Sequence, residues 1–445
     1  MQLLTIIAKA TGDPGDIETI KSAMRSATKV WNGLIWQLRD LQAQGKSAKL
    51  NLGLLNRLLL ACPHRKEIYS KSYQATRDEV IQAYRAYFVC RKNDDLHARP
   101  PGFRRKDRLS PLRYYNGYGY WLSSDGHTLT LGLGDSRSDG VRRVSLHLHY
   151  RKDAQLTKIR NILLTYDNRF GLQAHLVIEA ESRPSPGAGR VAVDLGETHL
   201  ITAVTETGPA WLYSGREVKA IRRYWKKVRA RVQSPRPGER KSRRLRQIDR
   251  KESRQVQALL HRITVDFVRR CATEGVGEIA FGDLGGIRKR INYGPRMNQR
   301  LHNWSFGRIT QLITYKAALA GIVVHADIDE AGSSRRCFGC GKLRRANRIS
   351  RGQYRCECGW GTQADVNAAL NLHQRAYNVS PLRSSGAVTA PVVVAFRVDR
   401  QRHTVYAAAP AKSGRRSGLR RSRRAQTTDS MVARRHYPGP MIGPC

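Results

Sequence analysis

The order of apolar and polar positions divides the chain into a helical part, an alternating part and a mixed part. Residues 2–9 (QLLTIIAK) predict an opening strand. Between Asp16 and about Lys92, apolar residues recur three and four positions apart, which is the spacing of one face of an α-helix. Interruptions near Gly45 and Pro63 indicate a bundle of separate helices.

From Tyr114 to about Glu181 the period changes to two. The runs YYNGYGYWL, HTLTLGL, RRVSLHLHY and GLQAHLVIEA are separated by Gly, Asp and Asn. This alternation predicts an antiparallel sheet or barrel. Two Pro- and Gly-containing linkers flank it, at 97–107 (HARPPGFRRKD) and 182–189 (SRPSPGAG).

Residues 191–377 combine strands and helices. Three short strands are predicted within 191–215, a long basic helical stretch over 220–268, and two further strands over 279–284 and 322–330. A helix over 304–320 separates those two strands, and a final helix runs from Asp365 to about Tyr377. This is the element order of an RNase H-like fold, so the fold class is α+β and multidomain. Beyond Leu382 periodicity is lost, and the run KSGRRSGLRRSRR predicts a disordered basic tail.

Charge indicates the class of partner. The 445 residues have a formal net charge of +45, and the cations are spread along the chain. Such a charge favours a long nucleic acid as partner. An anionic membrane surface is the alternative, but no apolar run is long enough for a transmembrane helix and no signal segment is recognisable. The unpaired cysteines 62, 90, 271 and 445 favour a reducing, cytoplasmic compartment, the prokaryotic cytosol.

Four cysteines form the strongest motif. Cys337 and Cys340 are followed by Cys356 and Cys358, with a glycine after each pair. Two close pairs of thiols predict a tetrahedral, structural zinc ribbon. The alternative is four free buried thiols. The second pair is one residue tighter than the usual spacing, which leaves its local geometry open.

Two aspartates are candidates for phosphodiester chemistry. Asp194 interrupts the apolar run VAVDLG, where an uncompensated buried carboxylate would cost several kcal/mol. Asp365 opens the final helix. Carboxylates from separate elements can hold two Mg²⁺ ions roughly 4 Å apart for hydrolysis. Taken singly, each has an ordinary alternative: Asp194 as a turn cap and Asp365 as a helix-dipole partner.

Residues 191–380 resemble the split RuvC nuclease domain of the TnpB family and of the related compact type V CRISPR effectors. The matching runs are VAVDLGETHLITAV, SGREVKAIRRYWKK, IAFGDLGGIRKR, YKAALAGIVV, DEAGSSRRCFGCG and CECGWGTQADVNAALNL. The resemblance implies that Asp194 and Asp365 are the first and last catalytic acids and that the four cysteines bind zinc. It also implies an N-terminal helical lobe for the guide–target heteroduplex and a β-barrel-like wedge domain that binds RNA.

The middle catalytic acid departs from the family pattern. Where the family has Glu-Asp-Leu at the end of the fourth strand, this chain has Gly282-Asp283-Leu284. The fifth strand would end beside it, so Glu330 is the candidate replacement ligand. Asp283 is a weaker substitute because neighbouring strand residues point to opposite faces. The alternatives for Glu330 are a solvated strand-end acid and, for the protein, an inactive nuclease.

Ten basic residues and one tryptophan are the candidates for nucleic-acid contact, against the alternative of a solvated charged face. They fall in the first linker, in the basic helix and after the fourth strand: Arg104, Arg105, Lys106, Arg222, Arg223, Trp225, Lys226, Lys227, Arg288, Lys289 and Arg290. Aromatic residues interrupt the cations of the basic helix, and the three residues after the fourth strand lie where a substrate strand would enter.

These inferences predict an RNA-guided DNA endonuclease. Its partners would be a guide RNA and target double-stranded DNA, with Zn as structural and Mg as catalytic cofactor, and no membrane. An RNA-guided DNA-binding repressor and a plain basic nucleic-acid-binding protein are the competing functions. The predicted domains are a first wedge strand (1–15), helical lobe (16–95), wedge (96–185), nuclease (186–332), ribbon (333–361), final helix (362–382) and tail (383–445).

Overall fold

The structure is a computed structural model. It describes residues 2–44, 51–93, 95, 97–115, 117–150, 156, 158–168, 170–233, 242–283, 306–350, 352–379, 391–399 and 404–408. The chain forms two compact units, residues 1–181 and residues 182–444. In the described residues no helix is long and apolar enough to cross a membrane.

The first unit is built on a seven-stranded antiparallel sheet. Its strand order is β2-β6-β7-β1-β5-β4-β3. The strands are β1 (Gln2–Thr11), β2 (Leu112–Tyr115), β3 (Tyr120–Leu122), β4 (Thr128–Gly132), β5 (Arg143–His149), β6 (Ile159–Asp167) and β7 (Gly171–Ala180). The β5 strand alternates buried and exposed residues along its whole length, as its sequence predicts. β6 lies outside the predicted alternating runs.

The first strand lies in the middle of this sheet. β1 pairs with β7 on one side and with β5 on the other. The Tyr114 hydroxyl on β2 donates a hydrogen bond to the Gly132 carbonyl at the end of β4. The sheet is therefore curled, because β2 and β4 stand near opposite ends of its strand order. This curvature is the barrel-like form expected from the sequence.

Helices inserted between β1 and β2 cover the sheet. They are Pro14–Ala43, Leu52–Leu60 and Ser70–Lys92, with a 3₁₀ turn at Pro63–Glu67. The predicted interruption near Pro63 is present, and the first helix ends two residues before Gly45. Residues such as Met24 and Leu34 on the first helix share one apolar core with Leu146 on β5.

The second unit contains a six-stranded mixed sheet. Its strand order is β12-β11-β8-β9-β10-β15. The strands are β8 (Gly189–Asp194), β9 (His199–Thr205), β10 (Ala210–Ser214), β11 (Val276–Gly282), β12 (Val323–Ile328) and β15 (Val392–Val394). β8, β9 and β10 form an antiparallel meander, while β11 is parallel to β8 and β12 is parallel to β11. This is the RNase H-like order that the sequence predicts.

Helices cover both faces of this sheet. One face packs against Arg216–Gln233, Arg243–Thr273 and Phe306–Leu319, and the other against the final helix, Ala364–Tyr377. Neighbouring residues of β10 therefore enter different cores, Trp211 the first and Leu212 the second. Burial on both faces explains why the meander strands are almost continuously apolar.

The prediction of a disordered tail from residue 383 is corrected for two short segments. β15 pairs in parallel with β10, and β16 (Phe396–Asp399) pairs with β17 (Thr404–Ala407) as a hairpin. Phe396 is buried in the core of the second unit. Strands of three or four residues are too short for a period of two to emerge from the sequence. The basic run 412–424 lies outside the described residues.

Candidate active site

Three carboxylates lie at one edge of the mixed sheet. Asp194 is the last residue of β8, and Glu330 follows two residues after the end of β12. β8, β11 and β12 are parallel, so their carboxyl ends meet at the same edge. Asp365 reaches the edge from the first turn of the final helix, which packs across the sheet.

Glu330 lies against Gly282. Gly282 is the last residue of β11 and pairs with Ile328 on β12. A β-carbon built on Gly282 would lie 3.1 Å from Cγ and Oε2 of Glu330. The glutamate side chain therefore comes from the neighbouring strand into the space beside residue 282.

Asp365 is held by hydrogen bonds at both carboxylate oxygens. Its Oδ2 lies 2.8 Å from the Nδ1 of His199, which begins β9, and accepts from the Gln363 amide at 3.2 Å. Its Oδ1 accepts from the Arg348 guanidinium at 3.1 Å. Gln363 also caps the final helix by accepting from the Val366 N–H at 2.8 Å. No sequence motif marks His199, Gln363 or Arg348, because their roles follow from which elements meet.

The carboxylates influence one another electrostatically. Burial, followed by the charges of Asp365 and Glu330, raises the pKa of Asp194 well above its usual value. Burial, with Asp283 and Asp329 adding to it, raises the pKa of Glu330 to about 7. Burial and mutual repulsion therefore disfavour the ionised forms of Asp194 and Glu330, and a bound cation would stabilise those forms.

Asp365 behaves in the opposite way. Burial alone would raise its pKa, but the hydrogen bonds from His199 and Gln363 and the charge of Arg348 lower the pKa below its usual value. Asp365 is thus kept ionised as a ready acceptor, and one cationic group already lies beside it.

The donor set fits hard divalent cations, which prefer carboxylate oxygens. Among the described residues, the four-cysteine cluster is the group of His, Cys, Asp or Glu side chains close enough to hold one metal ion, and the three carboxylates do not form such a group. Two ions roughly 4 Å apart take carboxylate ligands from several elements, and β8, the end of β12 and the final helix each supply one.

The four cysteines form a compact cluster. Their sulfurs all lie within 4.8 Å of one another. Cys337 Sγ is 3.6 Å from Cys358 Sγ, and Cys340 Sγ is 3.7 Å from Cys356 Sγ. At a Zn–S distance of about 2.3 Å, sulfurs of a tetrahedral site lie about 3.8 Å apart. The cluster therefore fits a tetrahedral metal ion.

The two turns that carry the cysteine pairs have similar backbone conformations, although the cysteines are spaced differently within each pair. Gly341 and Gly359 follow the pairs with φ of 72° and 85°, a conformation that favours glycine. The strands β13 (Gln353–Arg355) and β14 (Gly361–Gln363) pair as a hairpin behind the second pair. Arg348, in the loop between the two cysteine pairs, joins this ribbon to Asp365.

The basic helix Arg216–Gln233 exposes only some of the side chains that are predicted to contact nucleic acid. Arg223, Lys226 and Lys227 are exposed. Trp225 is 9% exposed, and its indole N–H donates to Gln255 at 2.7 Å. The prediction that Trp225 contacts nucleic acid is therefore wrong, since Trp225 belongs to the core. Arg222 is half-buried, and burial lowers its pKa although Glu252 opposes the shift.

In the first unit the three basic residues predicted to contact nucleic acid, Arg104, Arg105 and Lys106, differ in exposure. Arg104 pairs with Glu79 at 2.9 Å and stacks on Trp31, with its side chain 14% exposed, so it supports the fold. Arg105 and Lys106 are exposed. A cavity of about 630 Å³ is lined by Trp31, Gly102, Phe103, Arg104, Arg105, Asp107 and Arg108. Arg288, Lys289 and Arg290 lie outside the described residues.

Two family models match the second unit and the end of the first. One, described as a probable transposase (OrfB of IS605), matches residues 174–288, and the other, described as the Cas12f1-like TNB domain, matches residues 306–372. Over these two regions the chain is similar to the transposase and Cas12f1-like families. The first match spans Asp194 and Gly282, and the second spans Glu330, the ribbon and Asp365.

Known relatives resemble this chain over part of its length. Over 113 residues it is 39% identical to the CRISPR-associated endodeoxyribonuclease Cas12f1 of Sulfoacidibacillus thermotolerans, and that match covers 25% of each chain. The chain thus matches about a quarter of that relative's length. A solved Cas12f1–sgRNA–target DNA complex has a similar fold, with a TM-score of 0.58 and 16% identity over 80% of this chain and 82% of that chain. The mini-RNA-guided endonuclease CRISPR-Cas_phi3 gives a TM-score of 0.44 at 10% identity over 85% and 92%.

Proposed function

We propose that the protein is an RNA-guided DNA endonuclease that cuts guide-matched double-stranded DNA at a single RNase H-like site. The observation that supports this most directly is the meeting of Asp194, Glu330 and Asp365 at one sheet edge, where burial and then the charges of Asp365 and Glu330 raise the pKa of Asp194. Groups that repel one another in this way are typical of a metal-dependent active site. The net charge of +45 suits a complex with RNA and DNA.

Asp194, Glu330 and Asp365 would hold two Mg²⁺ ions. Bound Mg²⁺ would supply charge stabilisation at the scissile phosphate and a lowered pKa for the attacking water. The residues of the chain do the positioning: Glu330 takes the place of the acid missing at Gly282, and His199 holds Asp365 through Oδ2.

The four cysteines would bind one structural Zn²⁺. Their sulfur spacing and the paired left-handed glycines support this assignment. Bound zinc would fix the ribbon loop that carries Arg348. The Arg348 guanidinium would then hold the Asp365 carboxylate through their ion pair.

Cleavage by the natural complex is the test. The chain is expressed with its flanking DNA, the co-purifying RNA is sequenced, and a plasmid matching its guide segment is incubated with the complex and Mg²⁺. We expect a double-strand cut that Asp194→Ala removes while guided binding persists. Glu330→Gln should lower the cleavage rate at least about a hundredfold.

The outcomes separate the competing functions. Tight, guide-dependent binding without any product from the unmodified complex would mean that the protein is a guided DNA-binding repressor. Equal binding to matched and unmatched DNA would mean a plain basic binder. If Glu330→Gln cut as fast as the unmodified protein, Glu330 would not be the third acid.

A further inference from the structure

Glu330 stands beyond the last sheet hydrogen bonds. β12 ends at Ile328, whose carbonyl accepts from the Asp283 N–H at 2.7 Å. The backbone on either side of Glu330 is therefore not held by strand pairing. A ligand that must stay within a fraction of an ångström of a metal needs other support.

The final helix supplies that support through Arg375. One guanidinium nitrogen of Arg375 donates to the Asp329 carbonyl at 2.7 Å, and the other donates to the Ala331 carbonyl at 2.9 Å. These are the two residues that flank Glu330. A single planar group thus holds the backbone on both sides of the proposed ligand.

A second contact from the same helix reinforces the first. Asn371, one turn before Arg375, donates from its amide to the Ser333 carbonyl at 2.9 Å. The Ser333 N–H in turn donates to the Glu330 carbonyl at 3.1 Å. The loop is therefore bound at three successive points by one face of the helix.

The same helix carries Asp365 in its first turn. One rigid element accordingly presents Asp365 directly and holds Glu330 through its backbone. The ion pair between Arg375 and Asp329 is a weaker explanation for Arg375, because its atoms are 3.6 Å apart and the Asp329 side chain is 77% exposed.

We propose that Arg375 is a positioning residue for Glu330, which it sets at the proposed metal site by clamping the carbonyls of Asp329 and Ala331. This inference rests on the proposed function. It assigns no contact with substrate to Arg375. Its planar fork reaches two acceptors at once, which a lysine ammonium can do only in part.

Binding of Mn²⁺, an EPR-active substitute for Mg²⁺, tests the proposal without cleavage. Free Mn²⁺ is titrated into the full-length, RNA-free chain, and the site is defined as the component that Asp194→Ala removes. We expect Arg375→Ala to weaken this component about tenfold, as is typical when support for a ligand is lost. The Mn²⁺ affinity of Arg375→Lys should lie between those of Arg375→Ala and the unmodified chain. Gln374→Ala, a change at an exposed neighbour, should leave the affinity unchanged.

A double-mutant cycle separates positioning from general destabilisation. In the Glu330→Gln background, Arg375→Ala should weaken Mn²⁺ binding no further. Equal losses in both backgrounds, or no loss in the unmodified background, would overturn the proposal. If Arg375→Ala also lowers the melting temperature, the cycle is repeated with Arg375→Lys. Its effect on Mn²⁺ binding, present in the unmodified background and absent in Glu330→Gln, then decides between positioning and destabilisation. The free chain could show this coupling between Arg375 and Glu330 while the RNA–protein complex does not cut DNA. That result would retain the positioning role of Arg375 and reject the nuclease function.

Discussion

The Glu330 side chain occupies the space that a β-carbon on residue 282 would need, with Cγ and Oε2 only 3.1 Å from that position. Glycine at 282 and glutamate at 330 are therefore compatible with each other, whereas any larger residue at 282 would press on Glu330. Glycine at the end of β11 is therefore the condition under which an acid that follows β12 can fit beside it.

Gly282→Ala should displace the Glu330 carboxylate. The added methyl would be 3.2 Å from the Glu330 β-carbon, which cannot move as freely as the end of the side chain. We expect cleavage to fall by roughly tenfold while guided DNA binding stays unchanged. Single-turnover cleavage and a binding assay on the same complex measure the two effects. Gly307→Ala is the control, since nothing lies within 4 Å of its β-carbon, and equal activity of both variants would contradict the close fit.

Removing one cysteine of the ribbon should release the metal. Cys337→Ser leaves three thiol ligands, and we expect the zinc content to fall from about one ion per chain towards zero with a lower melting temperature. Elemental analysis and thermal unfolding measure both. Cys90→Ser, an exposed cysteine outside the cluster, should retain full zinc. Zinc retained in Cys337→Ser would show that the cluster is not the binding site.

Arg348→Ala should strengthen the binding of divalent cations to the free chain. The guanidinium donates to Asp365 Oδ1, so it competes with a metal for that oxygen and reduces the negative charge of the site. Because Arg348 is partly exposed, the gain should be modest, roughly two- to fivefold in Mn²⁺ affinity by EPR. Arg344→Ala, which removes another ribbon arginine that pairs with Glu357, should leave the affinity as it was. Weaker Mn²⁺ binding in Arg348→Ala would show that Arg348 supports the metal site instead of competing with the metal for Asp365.

The stability of the Mg²⁺-free chain should depend on pH through Glu330. Its pKa is raised to about 7 in the folded protein, from 4.5 for an unperturbed glutamate. The folded state therefore holds a proton that the unfolded state releases, so this group's contribution is present below about pH 4.5 and is lost as the pH rises through about 7.

Thermal unfolding at pH 5 and pH 7.5 measures this contribution. The melting temperature of Glu330→Gln should exceed that of the unmodified chain by more at pH 7.5 than at pH 5, and Mg²⁺ should narrow the difference. Glu357→Gln, with its parent side chain 74% exposed, serves as the control. A difference that is the same at both pH values would mean that Glu330 is not buried as the structure has it.

Much of the second unit could be predicted from local sequence. The order of strands and helices predicted the RNase H-like sheet, and the cysteine spacing predicted the cluster. The place of Glu330 was predicted from the resemblance, which shows an acid missing at residue 282, and from the strand order, in which the fourth and fifth strands end at the same edge. These features depend on residues close in sequence or on a strand order that few folds share.

Other features could not be obtained in this way. Arg104 is structural because Glu79, on a helix distant in sequence, pairs with it. Arg348 and His199 meet at Asp365 only when the ribbon, β9 and the final helix are assembled. Trp225 is different, since Val218, Ile221 and Trp225 follow the helical spacing of a buried stripe. The apolar stripe lies among many cations, so the composition of the segment does not reveal it, but the spacing does.

The parallel strand β15 sets a practical lower limit on the size of a working protein. A version ending at residue 379 would keep Asp194, Glu330, Asp365 and the four clustered cysteines, yet it would uncover the backbone of Trp211–Tyr213 along β10. Bare sheet edges of this kind pair readily with other chains. Trimming for delivery or fusion should therefore stop beyond Ala407, where the β16–β17 hairpin ends, or the shortened protein will be lost to aggregation before its chemistry can be measured.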